Sequence, residues 1–157
     1  MLFSQSISSS MIPIELKDIY YQHQNESTFT LNIQDFNIKK NKKIFLEGPS
    51  GCGKTTFLNI LTGLISPLKG NVLVLGKEIT KLSQTKKDRF RADHFGIIFQ
   101  MFNLITYLNI IENIMLPCSF STLRRKNALE ISNSLNNEAI RLCNELGIGH
   151  HLLSKPV

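Results

Sequence analysis

Residues 43–56 read KIFLEGPSGCGKTT: an apolar run over 44–47, a glycine-rich turn, then a lysine and two threonines. Gly48, four intervening residues and Gly53-Lys54-Thr55 satisfy G-x-x-x-x-G-K-[ST] in full, the pattern of a loop that wraps a phosphate between a strand and a helix. The task explains the residue types. Backbone N–H groups converge on an anion only where side chains leave room, and Gly48, Gly51 and Gly53 leave it around Pro49, Ser50 and Cys52. A strand is predicted over 44–47 and a helix over 54–64, whose N-terminal end adds partial positive charge at the same place. In such a loop Lys54 is expected to hold the β- and γ-phosphates of a nucleotide and the Thr55 hydroxyl to ligate Mg²⁺, with Thr56 beside it.

The remainder of the chain sets bounds on that reading. At 157 residues it is long enough for one domain with its own core. A hydrophobic fraction of 42% and a charged fraction of 19% are those of a water-soluble globular protein. No apolar run reaches the roughly 18 residues of a membrane span. The leader MLFSQSISSSMIP has neither a basic start nor a sustained apolar core, so residues 1–11 are expected to be a disordered leader rather than a secretory signal, with Met11 a second candidate start. Cys52, Cys118 and Cys143 are isolated and lack metal-ligand spacing, which suggests reduced thiols in a cytosol. Cys52 lies inside the phosphate loop, where modification would obstruct nucleotide, although the stronger reading there is a tolerated small residue. The net charge is +6, in the clusters Lys39-Lys40-Lys42-Lys43, Lys86-Lys87-Arg89-Arg91 and Arg124-Arg125-Lys126. They are dispersed and carry few aromatics, so they read as solvated turns and helix faces, not as a nucleic-acid surface.

Taken in order, residues 12–21 alternate as a half-buried strand, and residues 29–38 alternate again, as an antiparallel partner would. Beyond the loop, Phe57, Leu58, Leu61 and Leu64 are expected on one helical face, ended by Ser66-Pro67. A turn at Gly70-Asn71, a short strand over 72–75 and a surface helix within 77–91 follow. Residues 95–99, FGIIF, read as a buried strand ending at Gln100. Residues 104–116 form a loop and short helix with more apolar surface than their length should hide, as for a partner. Ala128, Ile131, Leu135, Ala139, Leu142 and Leu146 make an amphipathic helical stripe closed by Gly147.

Two further patterns point elsewhere. Thr85-Lys86-Lys87-Asp88 matches the guanine-reading [NT]KxD, and Asp93-His94-Phe95-Gly96 matches DxxG. Small GTPases place them in the opposite order, each after a buried strand, and here both follow polar sequence. His23, His94, His150 and His151 show no ligand spacing.

Four blocks, GPSGCGKTTFLNILTGL, SPLKGNVLVLG, FRADHFGIIFQMFNL and NIIENIMLP, together resemble the nucleotide-binding subunit of an ABC transporter, nearest to the lipoprotein-release, macrolide-export and antimicrobial-peptide subgroup. The resemblance implies an α/β fold, a P-loop NTPase of ABC-cassette type. Residues 12–102 would form the N-terminal part of the ATPase core, with an antiparallel β subdomain and an incomplete core sheet, and 103–157 part of a helical subdomain. It implies ATP and Mg²⁺ as ligands, and Gln100 as the Q-loop glutamine that reaches Mg²⁺ and the attacking water. The adenine-stacking aromatic falls on His23, with Tyr21 second. A transmembrane permease would dock on 104–116, and a second cassette or a homodimer would complete the assembly, cytoplasmic and peripheral at the inner face of the membrane.

The family continues past a Lys-Pro like Lys155-Pro156 with an LSGGQ signature, a strand ending in Asp-Glu and a switch histidine, none of which is in this sequence. The resemblance therefore implies a truncated cassette that binds ATP without hydrolysing it, its loop strand lacking neighbours and exposing an edge. Two other classes fit a phosphate loop in a chain of this size: a small P-loop kinase of a nucleoside or metabolite, with Arg124-Arg125-Lys126 as a lid, and a non-catalytic nucleotide-binding interaction protein.

Overall fold

Alternating apolar residues form an antiparallel pair at the start of the described chain, β1 (Ile14–Gln22) and β2 (Thr30–Ile38), with Ile14 opposite Ile38 and Gln22 opposite Thr30. The computed structural model describes residues 12–23, 29–101 and 103–147. It divides into two compact units, Met1–Lys87 and Asp88–Val157; the proposed leader 1–11 and His150 and His151 lie outside the described residues.

Burial on β1 falls at Leu16 and then Ile19, three residues apart instead of two. β2 breaks its alternation at the same rung, between Ile33 and Phe36, so Leu16 faces Phe36 and Ile19 faces Ile33 in one unbroken register. Between them Asp18 takes φ 52. β3 (Lys69–Val74) pairs antiparallel with the other edge of β1, from Ile14–Val74 to Lys17–Asn71, and then slips by one residue at Tyr20–Lys69. Gly70 makes the slip possible: it has φ 94, and a Cβ there would lie 2.4 Å from the Asp18 carbonyl oxygen and 2.5 Å from that of Lys17. Gly70 and Asn71, expected as a turn, are thus inside the strand. Leu75 and Gly76, both at positive φ, turn the chain into β4 (Lys77–Glu78), completing the order β2-β1-β3-β4.

Helix α1 (Lys54–Leu61) docks on this sheet through Phe57, whose ring meets Phe36 edge-on at 5.1 Å, and buries Ile60 and Leu61. Leu58 and Leu64, assigned from sequence to the same face, are instead exposed by 50% and 44%. The helix also ends early. Gly63 at φ 70 reverses the chain, its N–H donating to Ile60 O at 3.0 Å and that of Leu64 to Asn59 O at 2.9 Å, so a glycine C-cap and not Ser66-Pro67 stops it.

Two predicted strands are absent. Residues 44–47 and 95–99 have no ladder partner among the described residues, and Phe45 and Ile98 are 87% and 100% exposed. A strand is held by its neighbours' N–H and C=O groups, so a run of the right composition alone does not make one. The sheet among the described residues is therefore wholly antiparallel.

A short 3₁₀ turn, Ile79–Lys81, leads to α2 (Gln84–His94), the helix expected in the polar stretch. Lys87 is not on a solvated face: it is 7% exposed and donates to Ser66 Oγ at 2.7 Å. In the second unit the loop after 103 is pinned by Asn113, whose Oδ1 accepts from Ile105 N at 2.9 Å while its Nδ2 donates to the carbonyls of Ile105, Leu108 and Asn109, each at 3.1 Å. Asn109 and Glu112 cap α3 (Ile110–Met115) reciprocally. α4 (Pro117–Phe120), α5 (Thr122–Ser132) and α6 (Leu135–Glu145) follow. The single amphipathic stripe is in fact two helices, broken at Asn133 with φ 58. They bury Ala128, Ala139 and Cys143 but leave Ile131 and Leu146 exposed.

Glu138, in the first turn of α6, accepts from Arg141 Nε at 2.8 Å, from Arg141 Nη2 at 2.6 Å and from Ser132 Oγ at 2.5 Å. The Arg141 guanidinium foremost, then the Ser132 hydroxyl, lower its pKa from 4.5 to about 2.

Two outcomes follow from this packing. Gly70→Ala should cost roughly 2–3 kcal/mol in urea unfolding, through backbone strain and the clash at Asp18, whereas Gly147→Ala, with nothing within 4 Å of its Cβ, should cost about 1 kcal/mol. Because the folded pKa of Glu138 lies below its unfolded value, its contribution is complete above pH 4.5 and lost as pH falls toward 2. Acid unfolding followed by circular dichroism should show that loss, and Glu138→Gln should flatten the profile over the same window.

Candidate nucleotide-phosphate site

The loop is built around one helix end. Phe57 N is the first amide of α1 to reach back four residues, donating to Gly53 O at 2.8 Å. The N–H groups of Lys54, Thr55 and Thr56 therefore have no intrahelical acceptor. Most helices place a serine, threonine or aspartate there, but α1 has Gly53 at φ 99 as its N-cap, with no side-chain cap and no acidic residue in its first turn. The donors are left facing the loop.

Glycine is required on the loop's packed side: a Cβ at Gly53 would lie 2.8 Å from Phe29 Cζ and 3.5 Å from Leu31 Cδ1. Gly51, at φ 79, is open, with nothing within 4 Å of its Cβ direction. Lys54 folds back across the turn, its ammonium donating to Gly48 O at 2.6 Å and Pro49 O at 2.7 Å and lying 3.6 Å from Cys52 Sγ. The loop thus combines an uncapped amide cluster, an unobstructed face and a cation. Those groups fit a polyphosphate, with Lys54 and the loop amides to hold it and the exposed Thr55 hydroxyl available to its metal. A mostly apolar cleft of 280 Å³ borders the loop at Cys52, Gly53 and Lys54, walled by Leu31, Ile33, Phe36, Leu46 and Phe57.

Tyr21 is half-buried in β1 opposite Leu31, and His23 is exposed just past the strand's end. Since Leu31 lies against Gly53, the end of β1 is one strand away from the loop. Gln100 belongs to the second unit, where it is exposed and follows an unpaired run, not a strand. The residues of the [NT]KxD match lie on helix α2, where Lys87, at its variable position, is bonded to Ser66 and Asp88 is paired with Arg91.

Sequence reading missed Phe29, which packs on the loop, and Arg124. Arg124 was placed on a solvated face, yet it is half-buried, with Nε donating to Ala92 O at 2.5 Å and Nη2 to Phe95 O at 2.6 Å. That engagement also removes it as a lid over phosphates. In the second unit a pocket of 350 Å³ is walled by Phe95, Ile97, Leu116, Pro117, Phe120 and Arg124.

Residues 31–157 match the family described as ABC transporter. The chain is 33% identical over 122 residues to the lipoprotein-releasing system ATP-binding protein LolD of Hydrogenovibrio crunogenus, covering 78% of this chain and 50% of that protein. It is 34% identical to the putative hemin import ATP-binding protein HrtA of Staphylococcus haemolyticus, covering 88% and 60% respectively. Among solved structures, the dimeric post-hydrolysis state of the ATP-binding cassette MJ0796 bound to ADP and Pi superposes with a TM-score of 0.63 at 23% identity, covering 91% of this chain and 61% of that one. At that identity the likeness concerns the fold. The chain spans 50% and 60% of the lengths of these two relatives.

Cys52 is exposed while Cys118 and Cys143 are buried. A maleimide should therefore label one thiol rapidly in the folded chain and three after denaturation, with Mg·ATP slowing the first reaction, as mass spectrometry of the labelled peptides would read.

Proposed function

The chain belongs to the ABC transporter family, and on that premise we propose that it is the ATP-binding portion of a transporter cassette of the export or lipoprotein-release type. The observation that carries this reading is the uncapped first turn of α1 facing a loop whose own lysine is folded across it. Lys54 would exchange its carbonyl partners for phosphate oxygens, an exchange of neutral acceptors for anionic ones and so a favourable one. Gly48, Pro49, Ser50, Gly51, Cys52 and Gly53 would supply the backbone cradle, and Thr55, with Thr56 beside it, the hydroxyl for Mg²⁺. The metal, when bound, neutralises charge on the phosphates.

His23, or Tyr21 in its place, would stack on the adenine at the end of β1. Gln100 would reach the metal and the attacking water. Residues 12–102 would act as the ATPase core and 103–157 as part of a helical subdomain. The apolar loop 104–116, where Leu104 and Tyr107 are 49% and 85% exposed, suits contact with a membrane permease, and a second cassette would complete a dimer. No helix among the described residues is long and apolar enough to cross a membrane, consistent with attachment through a permease at the cytoplasmic face. Hydrolysis needs a carboxylate to anchor the metal and a group to orient water. No apolar run in these 157 residues ends in Asp-Glu, so binding without turnover is expected of them.

Titration calorimetry with Mg·ATP should show binding that weakens about 10- to 100-fold in Lys54→Ala, the worth of one charge-assisted contact. Phosphate release on the same samples should stay at background. Unchanged affinity in Lys54→Ala, or turnover accompanied by a phosphorylated small-molecule acceptor, would overturn the reading.

A further inference from the structure

α2 ends, like every helix, with carbonyls that its own residues cannot satisfy. Two oxygens at this exit, those of Ala92 and Phe95, are taken by one side chain from another helix, the guanidinium of Arg124 at 2.5 and 2.6 Å. The same corner is tied a second time. Ser121, 1% exposed, donates its hydroxyl to Asp93 Oδ1 at 2.6 Å and accepts from Arg124 N at 3.0 Å as the N-cap of α5. A serine that caps one helix thus holds the last turn of another, and the residue three places on from it closes that helix's exit.

The fork matters. A guanidinium presents donors in a plane at fixed separation and so spans two carbonyls three residues apart, which a lysine ammonium, a single point on a flexible stem, does not. Its charge also favours the negative end of α2. The neighbouring Arg125 and Lys126 are exposed and take no part.

Phe95 stands five residues before Gln100, and its bond to Arg124 is the last hydrogen bond preceding Gln100 among the described residues. Residues 96–101 have no ladder partner and are exposed, so their path is set by where the chain leaves α2. We infer that Arg124 is a positioning residue for Gln100: by clamping the exit of α2 onto the start of α5, it fixes the origin and direction of the segment that carries the glutamine. This rests on the role proposed above for Gln100, but the clamp itself is testable without turnover.

The sequence contains no tryptophan, so Phe99→Trp, at a position 56% exposed, gives a reporter one residue from Gln100. In that background Arg124→Lys and Arg124→Ala should lower the tryptophan anisotropy and raise hydrogen exchange in the last turn of α2, where Phe95 N–H donates to Arg91 O at 3.0 Å, at least about tenfold over that of α5 and α6. Arg125→Ala should change neither. Methylguanidine should restore both signals in Arg124→Ala, a rescue that a general loss of stability would not give. If Arg124→Ala fails to fold, Arg124→Lys, which keeps the stem and the charge, carries the comparison. Unaltered anisotropy and exchange in the folded variants, or exchange rising equally across α5 and α6, would overturn the inference. Mg·ATP calorimetry on the parent chain separates the two readings: failure to bind there counts against the nucleotide site, while a selective response of the tryptophan and of the last turn of α2 upholds the clamp.

Discussion

The first turn of α1 carries three amide hydrogens that no residue of the helix is placed to accept, and much of the first unit is arranged around leaving them so. Gly53 replaces a capping side chain, no carboxylate occupies the first turn, and the loop's own lysine bends back onto carbonyls. An end left unsatisfied must be held still by something else. Here the other end of α1 is closed by Gly63, its middle rests on Phe36 through Phe57, and Phe29 packs against the loop itself. Stability supplied by the sheet permits a loop that contributes little of its own.

The loop and the β1–β2 pair were legible because their signals are local. A complete glycine-lysine spacing needs no distant partner to be recognised, and apolar alternation over 12–21 and 29–38 marks the strand pair, although the break in parity between Ile33 and Phe36 is seen only in the structure. The strands predicted at 44–47 and 95–99 failed for the opposite reason: composition states what a segment would bury, while pairing depends on neighbours that a periodicity does not contain. Gly70 misled in the same way. In a window of a few residues it reads as a turn, and only the Asp18 carbonyl, some fifty residues earlier, reveals it as the complement of a bulge.

Charge was the least transparent property. The three basic clusters look alike in sequence, yet Lys87 is buried against Ser66 and Arg124 closes the exit of α2, while Lys39, Lys40, Lys42 and Lys43 stay in solvent. What separates them is the presence of acceptors within reach: helix-terminal carbonyls and the Ser66 hydroxyl recruit a cation, and an open turn does not. Glu138 illustrates the converse, a carboxylate kept ionised at the start of α6 by a guanidinium one turn along.

The position of β1 between β2 and β3 has a kinetic consequence. Ile14 meets Val74 across about sixty residues of chain, and the phosphate loop with all of α1 lies inside that span. The sheet closes only by paying the entropy of a long loop, whereas α3 to α6 assemble from near neighbours. The proposed phosphate site therefore takes its final form with the least local strand pairing of the first unit. A polyanion that stiffens the loop beforehand would shorten the effective span to be closed, acting as a folding cofactor before it acts as a ligand.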